Sequence, residues 1–168
     1  MAKPGLADLR SLPDPLQTQN FALFVNVPSP NGNARRLTLQ CQSVPLSGIS
    51  NDQLTVGLHG VEAMYQGRPM YEKTLSTSFV ETRDMVIRNT IRNWIEYARN
   101  ARNNTGAYKA EYESTGDLVL YDDRYRPIKT VRHFGFYPNN LSELSLDGSS
   151  SGVAIIQVTW LYDFTVDA

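Results

Sequence analysis

The sequence predicts a mainly β protein, a β-sandwich or barrel of about seven or eight strands with one inserted α-helix on its flank. Three observations predict it. Segments of alternating apolar and polar residues recur along the chain, as strands with one buried face require. Asn-Gly, Gly-rich and Pro-rich stretches punctuate them with turn chemistry. Only "TRDMVIRNTIRNWIEYARNAR" carries a helical period. At 168 residues the chain is long enough to bury one sizeable core.

Residues 1–20 hold Pro4, Pro13 and Pro15 without a period and read as an extended N-terminal arm. Residues 21–168 read as a single domain. "NFALFVNV" is its first strand, with Phe21, Leu23, Val25 and Val27 on one face. Asn31-Gly32 predicts a tight hairpin turn, and "RLTLQCQSV" a return strand that puts Leu37, Leu39 and Cys41 together. "PLSGISNDQLTVGLHGVEAMYQGRP" is a long glycine-punctuated excursion. It reads as a loop, a strand near Leu54–Leu58, a turn over Gly57–Gly60 and a strand over Val61–Gln66. Its apolar content is too thin for a core, so it folds over its own domain or reaches onto another one.

"KTLSTSFVET" turns Leu75, Thr77 and Phe79 to one face and Ser76 and Ser78 to the other. The helix is expected over about 82–103. Ile87, Ile91, Trp94 and Ala98 form its apolar stripe, Asp84 sits in its first turn and Arg99 and Arg102 in its last. "GDLVLYDD" and "PIKTVRHFGFY" are two further strands. In the closing segment Leu141, Leu144 and Leu146 are expected to anchor the approach to a terminal strand. Ala154, Ile156, Val158, Trp160, Tyr162 and Phe164 would then make one unbroken apolar face.

Sixteen basic residues against seventeen acidic ones give a net charge of −1, which argues against a protein whose main work is gripping nucleic acid. No run of about 18 apolar residues is present, so no membrane insertion is expected. The beginning shows no apolar signal region, and the glycosylation patterns at Asn103 and Asn140 read as chance. Cys41, the lone cysteine, has no partner for a disulfide and reads as a small core residue. The two histidines, His59 and His133, have no spacing that suggests a metal site, and Asp122-Asp123 reads as a polar turn. Gly-rich phosphate loops and the GxSxG elbow are absent, and the three serines of "DGSSSG" read as loop filler. The residues therefore predict no enzyme, no catalytic or metal-binding set and no cofactor.

Taken in order, "FALFVNV", "LTLQCQSVPLSGIS", "VGLHGVEAMYQGRP", "YEKTLSTSFVETRDMVIRNTIRNWIEYA" and "FGFYPNNLSELSLDGSSSGVAIIQVTWLYDF" resemble the tail tube protein of contractile-tailed, T4-like bacteriophages. That family is related to the tube proteins of type VI secretion and pyocins. The resemblance spans roughly residues 20–165. It implies a structural subunit that forms hexameric rings, stacked into a hollow conduit for genome delivery inside a contractile sheath. Its implied partners are copies of itself, the tail sheath protein, baseplate or initiator proteins and the tail terminator. The tape-measure protein and DNA would occupy the lumen transiently and without specific binding. The implied location is the tail tube of a virion, assembled in the host bacterial cytoplasm.

Within that frame Leu54, Val56, Leu58, His59, Val61, Met64 and Tyr65 are expected to form a ring or stacking interface on the long hairpin. Arg88, Arg92 and Glu96 are expected to face the sheath. Glu62, Gln66, Ser76 and Ser78 are candidates for the lumen. The alternatives are a tube subunit of a non-phage contractile injection system and a freestanding carbohydrate-binding β-sandwich using Tyr108, Tyr112, Tyr121 and Tyr125. A small hydrolase depending on His133 or an aspartate is a third.

Overall fold

A computed structural model describes residues 10–11, 14–28, 32–149 and 151–167. The elements run β1 (Phe21–Val25), α1 (Ala34–Gln40), β2 (Cys41–Ser43), β3 (Ile49–Leu58), β4 (Val61–Tyr71), β5 (Thr74–Val80), α2 (Val86–Ala98), α3 (Lys109–Tyr112), β6 (Ser114–Tyr121), β7 (Pro127–Leu141), β8 (Ile155–Leu161) and β9 (Phe164–Asp167). Seven strands make one twisted, antiparallel, nearly closed sheet in the order β1-β6-β7-β8-β5-β2, with β9 also paired to β7. Strands β3 and β4 form a separate two-stranded sheet. Most of the expected N-terminal arm, including Pro4 and Pro13, lies outside the described residues, as does Asn31 of the expected hairpin turn.

The expected return strand after β1 is instead helix α1. The Asn33 side chain accepts from the Arg36 backbone N–H at 3.2 Å and so caps the first turn. Only Leu37 turns inward, fully buried, while Leu39 is 68% exposed. A short run such as "RLTLQ" fits either period, and the cap decides between them. The helix packs against β1 and against β5, which neighbours β2 in the sheet. It thereby covers the gap between the two edge strands, as a third edge strand could not.

Strand β7 carries the architecture. Its first half pairs with β6 and β9, its second half with β8. Strands β8 and β9 are one path along β7, interrupted at Tyr162 and Asp163. There both partners change face together. Phe136 and Tyr162 point inward, but Phe134 and Phe164 stack on the outside, rings 4.9 Å apart. Gly135 makes this paired bulge, with φ +63° and a backbone so close to Asp163 that an added Cβ would collide with its carboxylate. The unbroken face expected from Ala154 to Phe164 therefore ends at Tyr162.

The core is aromatic at its centre. Trp160 stacks on Phe136 at 4.6 Å and meets Trp94 edge-on at 5.7 Å. Both indoles are satisfied, Trp160 Nε1 donating to Thr77 Oγ1 at 2.7 Å and Trp94 Nε1 to the Tyr112 carbonyl at 2.8 Å. The second bond explains the single turn α3, which no periodicity revealed. Leu75, Thr77 and Phe79 are buried, as are Ile87, Ile91 and Trp94 of α2.

Helix α2 is shorter than expected. Arg99 already has extended backbone, and Arg102 lies in the turn beyond it. Asp84 precedes the helix and bonds to Thr82 and Arg36. The N-terminal amides are met by Glu81, whose carboxylate accepts from Ile87 N at 3.4 Å and Arg88 N at 2.8 Å. Leu141 and Leu144 pack on the core, but Leu146 is 83% exposed and anchors nothing. Asp147 accepts from the Ser149 amide and hydroxyl, which makes the serine segment a local turn.

Candidate assembly surfaces

The β3–β4 hairpin stands apart from the body. Among the described residues its two strands make their substantial contacts only with each other. The strands are longer than sequence suggested, and the turn falls on His59 and Gly60, both with positive φ. Register fixes its faces: Leu54 opposes Tyr65, Val56 opposes Ala63, and Leu58 opposes Val61. These six residues make an apolar stripe along one face. Gln53 opposite Gln66, Thr55 opposite Met64 and Gly57 opposite Glu62 form the other face. Of the residues expected to act as one interface, Met64 therefore lies across the ribbon from the rest. Leu58, Val61 and Met64 are each about two-thirds exposed or more (66%, 71% and 71%). A two-stranded ribbon with an apolar face is marginal in water and needs a further layer.

Ser76 and Ser78 lie on the outward face of β5. They oppose Thr159 and Gln157 of β8, and Ser78 Oγ also meets Ser43 Oγ of β2 at 2.6 Å. Hydroxyl and amide groups without charge thus line the middle of this face, a continuity visible only once β2, β5 and β8 are aligned. Glu62 and Gln66, the other two lumen candidates, sit on the separate hairpin sheet. The structure does not join the two pairs.

On α2, Arg92 Nε donates to Glu96 at 2.9 Å in an exposed pair. Arg88 is half-buried, and its Nη1 has no hydrogen-bond partner among the described residues. The helix face expected to meet the sheath is thus paired at one end and partly covered at the other.

His133 and Cys41 are held within the fold. His133 is fully buried on β7, edge-on to Tyr162 at 5.0 Å. The Gly116 carbonyl, 3.1 Å from Nδ1, can only accept, so Nδ1 carries the proton and Nε2 accepts from the Ser47 hydroxyl at 2.8 Å. Burial holds this imidazole below its ordinary pKa. The unfolded chain therefore binds a proton near pH 6.5 that the folded chain refuses, and stability falls as pH drops through that value. Denaturation midpoints at about pH 7.5 and 5.5 should fall less for His133→Gln than for the native chain. An equal fall would remove His133 from the account.

Burial pushes the Cys41 thiol up to about 12, so it stays protonated and unreactive. Among the described residues no group of His, Cys, Asp and Glu could hold a metal ion, and no helix is long and apolar enough to cross a membrane. The four tyrosines of the carbohydrate alternative divide between two clefts, Tyr108 and Tyr112 in one and Tyr121 and Tyr125 in the other.

The overall fold also occurs in solved structures. A chain of the sheath/tube terminator of an extracellular contractile injection system, PVC, matches with TM-score 0.68 at 16% identity, covering 94% of this chain and 99% of that one. A chain of the PVC sheath-tube complex matches with TM-score 0.66 at 15% identity, covering 99% of both. One from the tube-terminating cap of the anti-feeding prophage matches with TM-score 0.66 at 16% identity, covering 94% and 93%. At such identities the likeness is one of fold. No curated protein matches the sequence. The family model for the phage tail tube protein matches residues 13–165, nearly the whole chain, and the chain belongs to that family.

Proposed function

We propose that the protein is the repeating subunit of a tail tube, forming hexameric rings that stack into a hollow conduit inside a contractile sheath. The detached β3–β4 hairpin carries this reading, because among the described residues no layer covers its apolar stripe. Burial of such a stripe against another subunit supplies the missing layer and a driving force for assembly. Leu54, Val56, Leu58, Val61 and Tyr65 make that contact, with His59 at the turn. Met64 lies on the opposite face with Glu62 and Gln66.

The outward face with Ser76 and Ser78 suits the lumen. Hydroxyls and amides offer a phosphate backbone no row of cations to release counterions against, so cargo is not held at each ring. Arg88, Arg92 and Glu96 suit the sheath-facing side, where a partner's oxygen would satisfy Arg88 Nη1. Baseplate and terminator proteins would close the tube's ends, with a tape-measure protein and DNA passing through. The virion is the corresponding location, with assembly in the host cytoplasm. An injection particle without a genome is the second reading, favoured by the folds of the solved neighbours.

Deleting residues 55–65 tests the hairpin's role. The truncated chain should keep its denaturation midpoint, since the hairpin adds nothing to the core, while sedimentation shows no polymer. Unchanged polymerisation would refute the reading.

A further inference from the structure

The paired bulge at Gly135 and Asp163 has a second effect: it turns Phe134 and Phe164 outward onto the face of β1-β6-β7-β9. Cross-strand register places Phe24, Asp117, Arg132 and Val166 in one row across all four strands of that face. Phe24, Phe164 and Val166 are 46%, 48% and 45% exposed, although an edge position at the end of a chain is usually polar. The single charge pair in the row is closed upon itself, Nε and Nη2 of Arg132 donating to the two Asp117 carboxylate oxygens, each at 2.8 Å. The face is therefore apolar with its charge neutralised in place.

We propose that this face receives the β3–β4 hairpin of a second copy of the chain. The inference rests on the tube reading and adds the receiving surface to it. A ribbon with one apolar side packs best on a flat sheet face, and the closed Asp117–Arg132 pair leaves no charge stranded beneath it. The hairpin of the same chain does not lie there, since its substantial contacts are internal. The stripe and the receiving face are different surfaces, so the contact is heterologous. Each copy then offers a hairpin and accepts another, which propagates the assembly without self-limiting at a dimer. The middle of the other outward face, at Ser43, Ser76, Ser78, Gln157 and Thr159, offers the stripe polar groups, and its exposed apolar residue Ile155 lies at the end of β8.

The full chain with photoreactive benzoylphenylalanine in place of Tyr65 tests this. After assembly and irradiation, mass spectrometry should locate intermolecular cross-links in β1, β6, the first half of β7 or β9. Cross-links confined to the β5–β8 face, to α2 or to a second hairpin would overturn the proposal. In parallel, Val166→Glu keeps a cross-strand neighbour in Arg132 and should leave the denaturation midpoint unchanged, while lowering the assembled fraction at least tenfold. Unaltered assembly would also overturn it. Tubes whose cross-links lie elsewhere would sink this contact and spare the tube reading; cross-links at this face in small oligomers that never form tubes would do the reverse.

Discussion

Trp160→Ala should lower the unfolding free energy by about 3–5 kcal/mol, read from urea denaturation. That is a large part of the roughly 5–15 kcal/mol available to a domain of this kind. Trp160 is fully buried where β8 faces α2, and it touches Phe136, Trp94 and Phe79. Removing the indole opens a cavity that its three rigid aromatic neighbours cannot fill, and it strips Thr77 Oγ1 of its donor. Trp160→Phe keeps a ring against Phe136 but loses the N–H, so its cost should be about 1–3 kcal/mol. A loss below about 1 kcal/mol for the alanine variant would mean the core closes elsewhere.

Gly135→Ala should destabilise by more than the ordinary cost of a side chain in the left-handed region, which is about 1–2 kcal/mol. The added Cβ would also press into the Asp163 carboxylate. The two costs separate in a double-mutant cycle. Asp163→Ala alone loses the ion pair with Lys109, an exposed contact of small worth. Combined with Gly135→Ala it removes the collision and leaves the backbone cost. The double variant should therefore be more stable than the sum of the single losses predicts. Strict additivity would show that the bulge relaxes around the new methyl group.

These two sites also mark what sequence could and could not reveal. Strands with one inward face were legible, because burial writes a period of two into "LSTSF" and "AIIQVTW". Helix α2 was legible from Ile87, Ile91 and Trp94, but its ends were not, since Glu81 reaches its amides from outside the helical turn. Helix α1 is not legible from its period, because "RLTLQ" alternates over too few residues, and only the Asn33 cap separates helix from strand there. Phe164 was assigned to the wrong face because a paired bulge shifts both strands at once, and alternation in one strand cannot show its partner's slip. Gly135 between two phenylalanines was the available clue.

The candidate surfaces were legible to the same depth. That the Leu54–Gln66 segment leaves the core followed from its thin apolar content, whereas the division of Met64 from Leu54 and Val56 depends on cross-strand register. Ser76 and Ser78 were seen as uncharged, but their continuity with Ser43, Gln157 and Thr159 needed the sheet order. The apolar β1-β6-β7-β9 face was invisible in sequence, because its members come from four separate strands.

Electron microscopy of the purified full-length chain over a range of concentrations tests the central claim most directly. Six-fold rings or long hollow tubes are the predicted result. A strictly monomeric particle at the highest concentration, with no rings and no tubes, would contradict it.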